Sequence, residues 1–418
     1  MYKLLVMTVL LSTAYTYASP TNLTSAEIDA ITSGIFDEPK GSGSGTSSTP
    51  FVKRTPRPTP PTTTKAPEEH KACTIQGNPG TCEHYYKCNY PAEVYEAQID
   101  IHVPDDECES YLDVCCEPAN LLPDPVTAAP VKKELETKCG MYNKDGVGFR
   151  ITLNSNQEEA QFGEFPWMVA IIKIEPVDEK IPEGQKKETY IEAGSLIHPQ
   201  VVLTGANFVA TDQKLIVRAG EWDTQTTKEI YPHQDRDVEK VEIHKDYNKK
   251  SLFYNIAVLF LSAPMELVPN VGVACLPPSN LRAEAGTRCL SAGWGKDKYG
   301  KEGTYQVILK KVQVPVVDHD TCQTQLRKTR LGRRFILHSS FMCAGGEERS
   351  TCSQDAGAPL VCPIQHEEGR YMQFGIMAWS ITCSSDIAPS AYVDVANLRD
   401  WIDDKVVGRG FDPSVYTY

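Results

Sequence analysis

The chain has 418 residues, a formal charge of −13 at neutral pH and 14 cysteines. That length allows more than one domain, one of them with a large core. The acidic balance argues against a general nucleic-acid or anionic-membrane binder. The cysteine count suits a compartment that permits disulfides.

Residues 1–18 read as a secretory signal, with Lys3, the apolar run "LLVMTVLL" and the small residues of "AYTYAS" ahead of cleavage near Ala18. The apolar run is too short to span a bilayer and no other stretch approaches that length, so a secreted chain without a membrane span is expected. Residues 19–71 read as a flexible tail and linker. In "SAEIDAITSGIF", Ile28, Ile31 and Ile35 fall near helical spacing, which fits either a short amphipathic helix or a structureless tail. Asn22 in "NLT" is a glycosylation sequon. A Gly/Ser-rich and then Pro/Thr-rich stretch follows. It contains Lys53-Arg54, and a basic residue in a mobile strand is what a trypsin-like protease needs. Limited cleavage after Arg54 is expected.

Residues 72–117 hold Cys73, Cys82, Cys88, Cys108, Cys115 and Cys116. So small a unit needs staples, and each disulfide contributes about 2–4 kcal/mol. Zinc is the alternative, but no CxxC pair has a matching partner. Spacing alone leaves the pairing open, save that adjacent Cys115 and Cys116 must reach different partners. Tyr85, Tyr86, Tyr90 and Tyr95 can serve this unit's core or form an aromatic ligand surface. Residues 118–138 read as a second linker. From residue 139 to 408, "WMVAIIKI", "VVLTGA", "KLIVRAG", "IAVLFL" and "FGIMAWS" read as short strands separated by turns. Helical periodicity enters only at "VANLRDWIDDKV", and residues 409–418 follow as a C-terminal tail. Many short strands and a last helix suggest a pair of antiparallel barrels.

The cysteine spacing of residues 72–117, with an adjacent pair last, resembles the clip domain of arthropod proteases. The resemblance implies Cys73–Cys115, Cys82–Cys108 and Cys88–Cys116. Residues 160–405 are similar to the chymotrypsin-like serine protease domain throughout. "EFPWMVAI", "GSLIHPQVVLTGANFV", "NIAVLFL", "CLSAGWG", "FMCAGG", "CSQDAGAPLVC" and "APSAYVDV" carry that similarity in order. The implied fold is all-β: a chymotrypsin-like double antiparallel β-barrel with a C-terminal helix, preceded by a small disulfide-stapled clip domain. The implied further disulfides are Cys139–Cys275, Cys289–Cys362, Cys322–Cys343 and Cys352–Cys383.

Such a protease needs an oxygen nucleophile, an imidazole to take its proton and a carboxylate to orient the imidazole. By the resemblance those positions are Ala356, Asn207 and Asn255, so none of the three groups is present. In a related system, loss of the triad costs a factor on the order of 10⁶ in kcat. Neither Ser353 nor His198 is placed to substitute. The oxyanion turn carries Gln354 where the family has glycine, and the base of the specificity pocket aligns with Ser350, with Ser380 and Ser390 on its walls. The family's disulfide beside the histidine is replaced by Glu192 and Phe208. The aspartate that normally pairs with the new N-terminus after activation is kept as Asp355. Ile151, after Arg150, lies too early to reach it, so Asp355 needs another partner.

"GVGFRI", "AQFGEFPWMVAI" and "TRLGRRFILHSSFMCAGGEE" resemble the non-catalytic clip-domain serine protease homologues, and within them the subgroup that supports prophenoloxidase activation. The resemblance implies a secreted haemolymph cofactor that is cut by an upstream clip-domain protease. Such a cofactor associates with itself and with phenoloxidase, and supports melanisation. Arg54 is the expected cut and Arg150 the alternative. The run Arg327, Lys328, Arg330, Arg333, Arg334 is a candidate partner surface in an otherwise acidic chain, against the plainer reading of a solvated loop or helix face. No cofactor is required. Calcium stays open, because Glu221, Asp223 and Glu229 lie in the loop where some family members bind it. The competing classes are a pattern-recognition or adhesion protein for microbial surfaces, and a protease with unconventional residues.

Overall fold

A computed structural model describes residues 71–75, 77–84, 88, 99–102, 108, 113–121, 138–147, 149–152, 158–177, 184–225, 229, 231–296, 303–347, 355–381 and 388–418. The N-terminal strands are β1 (Ala72–Ile75), β2 (Asn78–His84), β3 (Ile99–His102), β4 (Asp113–Cys116) and β5 (Phe149–Thr152). β1, β2 and β4 form an antiparallel sheet in the order β1-β2-β4. Disulfides Cys73–Cys115, Cys82–Cys108 and Cys88–Cys116 staple it. Gly80 lies where a Cβ would meet Cys115 Sγ at 2.7 Å, so the staple itself demands glycine. The sulfurs of Cys73, Cys82 and Cys108 cluster within 4.8 Å. All three are disulfide-bonded, so none is the thiolate that zinc requires.

The first closed barrel contains β6 (Met168–Pro176), β7 (Lys186–His198), β8 (Val201–Thr204), β9 (Leu215–Ala219), β10 (Gln234–Ile243) and β11 (Ala257–Leu261), in the order β10-β11-β8-β7-β6-β9. The second contains β12 (Arg288–Gly293), β13 (Lys310–Val317), β14 (Phe341–Gly345), β15 (Pro359–Pro363), β16 (Tyr371–Trp379) and β17 (Pro389–Asp394), in the order β12-β13-β14-β17-β16-β15. Closure removes the exposed edges that an open sheet would present. β11 is buried along its whole length because both of its faces are covered, whereas β10 keeps one face in water and is rich in charge.

One core runs through both barrels and includes Trp167, Leu196, Val217, Leu259, Trp294 and Tyr392. A second core joins Phe260, Ile376 and Val393 to Ile402 and Val406 of a C-terminal helix, Arg399–Gly408. A shorter helix, His319–Leu326, precedes β14; its N-cap is Asp318, whose side chain accepts from Thr321 N. Helical periodicity did not reveal it. The residues read as a C-terminal tail are packed into the fold. Tyr416 is fully buried, its hydroxyl donates to Asp403 Oδ1 at 2.8 Å, and its carbonyl accepts from Leu276 N. The disulfides Cys139–Cys275, Cys289–Cys362 and Cys322–Cys343 are present, while Cys352 and Cys383 lie outside the described residues.

Two contacts tie the entry segment down. Glu164 is wholly buried and accepts from Tyr142 Oη at 2.5 Å, Gln161 N at 2.6 Å and Lys311 Nζ at 2.8 Å. Strands β3 and β5 pair in parallel, with Asp100 opposite Arg150. The alternative cleavage position thus sits in a strand paired with a segment of the N-terminal unit.

Candidate functional site

The positions assigned to the catalytic residues meet where the barrels join. Asn255 is buried, and its Oδ1 accepts from Ala206 N at 2.9 Å. The adjacent Asn207 is half-buried and accepts a long bond, 3.4 Å, from Tyr247 Oη. Ala356 O accepts from Ala193 N at 3.0 Å. A Cβ on Gly205 would stand 3.4 Å from Asn255 Nδ2 and 3.7 Å from Gly357 Cα, so the strand end that carries Asn207 lies against the loop that carries Ala356. The arrangement offers two amides and a methyl group. An amide does not take a proton near neutral pH, and a methyl group has no nucleophilic electron pair.

The nearby histidines are engaged elsewhere. His198 ends β7; its ring packs on Phe411 at 4.9 Å and its Nδ1 accepts from Gln200 N. His244 stacks on Tyr254, and His338 stacks on Phe253. Burial holds all three below the usual imidazole range.

Asp355 has found its partner. It is buried beside Ala356, and Tyr190 Oη donates to its Oδ2 at 2.6 Å. The backbone N–H of Trp294 supplies a second donor. Burial nevertheless pushes this carboxyl up to about 7. Tyr190 is held edge-on between Trp294 at 6.1 Å and Tyr305 at 5.5 Å. Nothing in the sequence marks Tyr190 for this role. β7 has a bulge here, with Tyr190 opposite Ile172, Glu192 opposite Ile171, and Ile191 left over. A bulge breaks the alternation from which a side chain's direction is read.

Glu192, at a position of the lost disulfide, is fully buried with Oε1 lacking a hydrogen-bond partner. Burial raises its pKa well above the ordinary carboxylate value, against a hydrogen bond with Thr204, and the nearby Asp355 adds to the rise. Phe208, at the other half of that lost bond, is 45% exposed. Gly357 explains why the loop's frame persists. Its φ is +76°, and a Cβ there would stand 2.3 Å from Ala193 O and 2.5 Å from Thr204 Oγ1. Only glycine lets the loop approach β7 and β8 so closely.

The acidic loop brings two of its three carboxyls together. Glu221 and Glu229 are both buried, close enough for each carboxyl to feel the other. Burial first, then the charge of Glu229, pushes Glu221 up to about 8 despite Arg218 Nη1 at 3.6 Å. Glu229 Oε1 accepts from Asp223 N at 3.4 Å while its Oε2 is buried without a hydrogen-bond partner. Among the described residues Glu221, Asp223 and Glu229 do not draw their carboxylate oxygens together as a metal-sized cluster. Asp223 Oδ1 accepts from Gln225 N at 2.9 Å.

The basic run follows the helix His319–Leu326, which Cys322–Cys343 fastens to β14. Arg327 is turned inward, donating from Nε to Phe335 O at 2.7 Å. Lys328, Arg330, Arg333 and Arg334 are exposed, and beside them Ile336 is 56% exposed. Asn22, Arg54, Tyr85, Tyr86, Tyr90, Tyr95, Ser350, Ser353 and Gln354 lie outside the described residues.

Two closed six-stranded barrels joined at such a site define the trypsin-like architecture, and residues 155–402 match the Trypsin family. The chain belongs to that family, and within it to the clip-domain serine protease homologues. It is 69% identical over 297 residues to phenoloxidase-activating factor 2 of Galleria mellonella, covering 71% of this chain and 98% of the relative. It is 33% identical over 306 residues to inactive CLIP domain-containing serine protease A8 of Anopheles gambiae, covering 73% of this chain and 80% of the relative. It is also 33% identical over 318 residues to that mosquito's inactive CLIP domain-containing serine protease A28, covering 74% and 81%. Among the described residues no helix is long and apolar enough to cross a membrane.

Proposed function

We infer that this chain is a secreted, non-catalytic cofactor of prophenoloxidase activation, switched by limited proteolysis in the linker before Cys73. The observation that carries the reading is the convergence of Asn207, Asn255 and Ala356 at the barrel junction, where a working protease keeps its base, its carboxylate and its nucleophile. The name of the 69% identical relative supports the cascade. Phenoloxidase, an upstream clip-domain protease and further copies of this chain are the partners. Arg54 is the cut we favour, because Arg150 lies in a paired strand and Asp355 is already bonded to Tyr190. Calcium, if taken up, is held by Glu221 and Glu229 and stiffens their loop without entering any reaction.

The test is reconstitution. Prophenoloxidase, its activating protease and this chain are combined, with and without Arg54→Gln, and phenoloxidase rate and assembly size are followed. The parent chain should raise the rate and assemble, and Arg54→Gln should do neither. A labelled fluorophosphonate should leave the chain unmodified. Serine-directed labelling with turnover would remove the non-catalytic reading. A variant Arg54→Gln as active as the parent would move the switch elsewhere.

A further inference from the structure

The exposed basic loop after the helix His319–Leu326 is a built surface with no acid of its own. No Asp or Glu lies between Thr321 and Gly346. The loop is held in shape by Arg327 Nε on Phe335 O, by Thr329 Oγ1 on Leu326 O at 2.6 Å, and by Leu337 N on Gln323 Oε1 at 3.0 Å. Gly332, at φ +78°, makes its turn. Lys328, Arg333 and Arg334 are therefore presented from a fixed backbone in the same short stretch as an exposed isoleucine, Ile336. An exposed apolar side chain within a run of exposed cations suits an acidic segment with apolar residues of its own.

One segment of this chain has that pattern. Residues 19–39 carry Glu27, Asp29, Asp37 and Glu38 with no Lys or Arg, interleaved with Ile28, Ile31, Ile35 and Phe36. We propose that this acidic, apolar N-terminal segment docks in cis on the loop of Lys328, Arg333, Arg334 and Ile336, and that linker cleavage releases it to uncover the loop.

Reach and concentration allow this. About thirty residues separate the segment from β1, and a chain of that length spans about 30 Å as a flexible coil and about 100 Å when extended. A barrel domain of this size is roughly 40 Å across. A linker of that kind holds its segment at an effective concentration on the order of millimolar, so weak contacts suffice before the cut and fail after it. The inference deepens the cleavage-switch reading and rests on it for its purpose, yet it can be tested without any phenoloxidase assay.

The experiment uses the full chain with a site-specific protease sequence in place of residues 41–46. After cleavage and removal of the released fragment, a fluorescent peptide of residues 19–39 is titrated in by anisotropy. The cleaved chain should bind it, with affinity falling as salt rises. Arg333→Glu with Arg334→Glu should weaken binding by at least about tenfold, since two exposed pairs each reverse sign. A peptide with Glu27→Lys, Asp29→Lys, Asp37→Lys and Glu38→Lys should fail on the unaltered protein, a control that needs no change to the fold. The uncut chain should bind the peptide far more weakly, and amide exchange across residues 327–337 should speed up once the tail is gone. Absence of peptide binding, or binding that ignores both charge reversals, overturns the proposal. So does cleavage-independent dimerisation abolished by Arg333→Glu with Arg334→Glu while the peptide stays unbound, which would make a second copy the occupant. Saturable binding of an anionic polymer without peptide binding would also overturn it.

Discussion

Replacing Tyr190 with Phe removes one hydroxyl and keeps the ring between Trp294 and Tyr305. Asp355 then retains only the Trp294 N–H. A hydrogen bond to a charged group contributes about 1.5–3 kcal/mol, so a loss of about 2 kcal/mol is expected where Asp355 is ionised. The sign depends on pH. Asp355 titrates near 7 in the folded chain, against an ordinary value of 3.8. The folded state therefore binds the extra proton between those values, and this group's contribution to stability falls as pH rises from about 4 to about 7. Tyr190 lowers the folded value, so its removal makes the fall continue to higher pH. The difference between parent and Tyr190→Phe should accordingly be larger at pH 8 than at pH 5.5. Denaturant unfolding of parent, Tyr190→Phe, Asp355→Asn and the double variant at both pH values measures it. Two results would show that the phenol is not the partner that holds this carboxylate. One is an equal cost of Tyr190→Phe at both pH values. The other is a cost as large in the Asp355→Asn background as in the parent.

Three further outcomes follow from the geometry. Gly357→Ala should cost more than about 4 kcal/mol or abolish secretion, because its Cβ would overlap Ala193 O at 2.3 Å in a left-handed backbone. Gly286→Ala, at φ +86° with nothing within 4 Å, should cost only about 1 kcal/mol, and melting temperatures of the two report the contrast. Lys311→Met leaves the buried Glu164 without its cation and should destabilise by roughly 3–5 kcal/mol, read by denaturant midpoint. Calcium should raise the melting temperature, more at pH 8 than at pH 6, because Glu221 titrates near 8 and must lose its proton to bind; Glu229→Gln should erase the effect.

The strongest strands were legible because they are buried on both faces and read as unbroken apolar runs. "IAVLFL" becomes β11 and "WMVAIIKI" becomes β6. β10 was not legible: "QDRDVEKVEI" is dominated by charged side chains, since one of its faces stays in water. Within the site, residue types at ordered landmarks pointed to Asn207, Asn255 and Ala356, which the fold brings to the barrel junction. The partner of Asp355 was not legible in that way. Tyr190 meets Asp355 across 165 residues of sequence and through a bulge, and no local pattern encodes a contact of that kind. The basic run was visible as charge, but Arg327's inward turn and the exposure of Ile336 depend on tertiary packing.

The two candidate cuts differ in what the fold can do with them. In an active relative of this architecture, the new N-terminal ammonium ends as the partner of the buried aspartate, and that ion pair is the reason cleavage is felt at the site. Here the phenol of Tyr190 already fills that place, and the buried carboxyl of Glu192 lies close enough to act on both groups. An ammonium freed at Ile151 would have to displace a bond of 2.6 Å inside a packed aromatic cluster. It would also have to leave the strand pairing of β3 with β5. Both costs oppose a switch at Arg150. The phenol of Tyr190 occupies the carboxylate that coupling of a cut to this site would need. What a cut can still change is which segments of chain stay tethered to the surface.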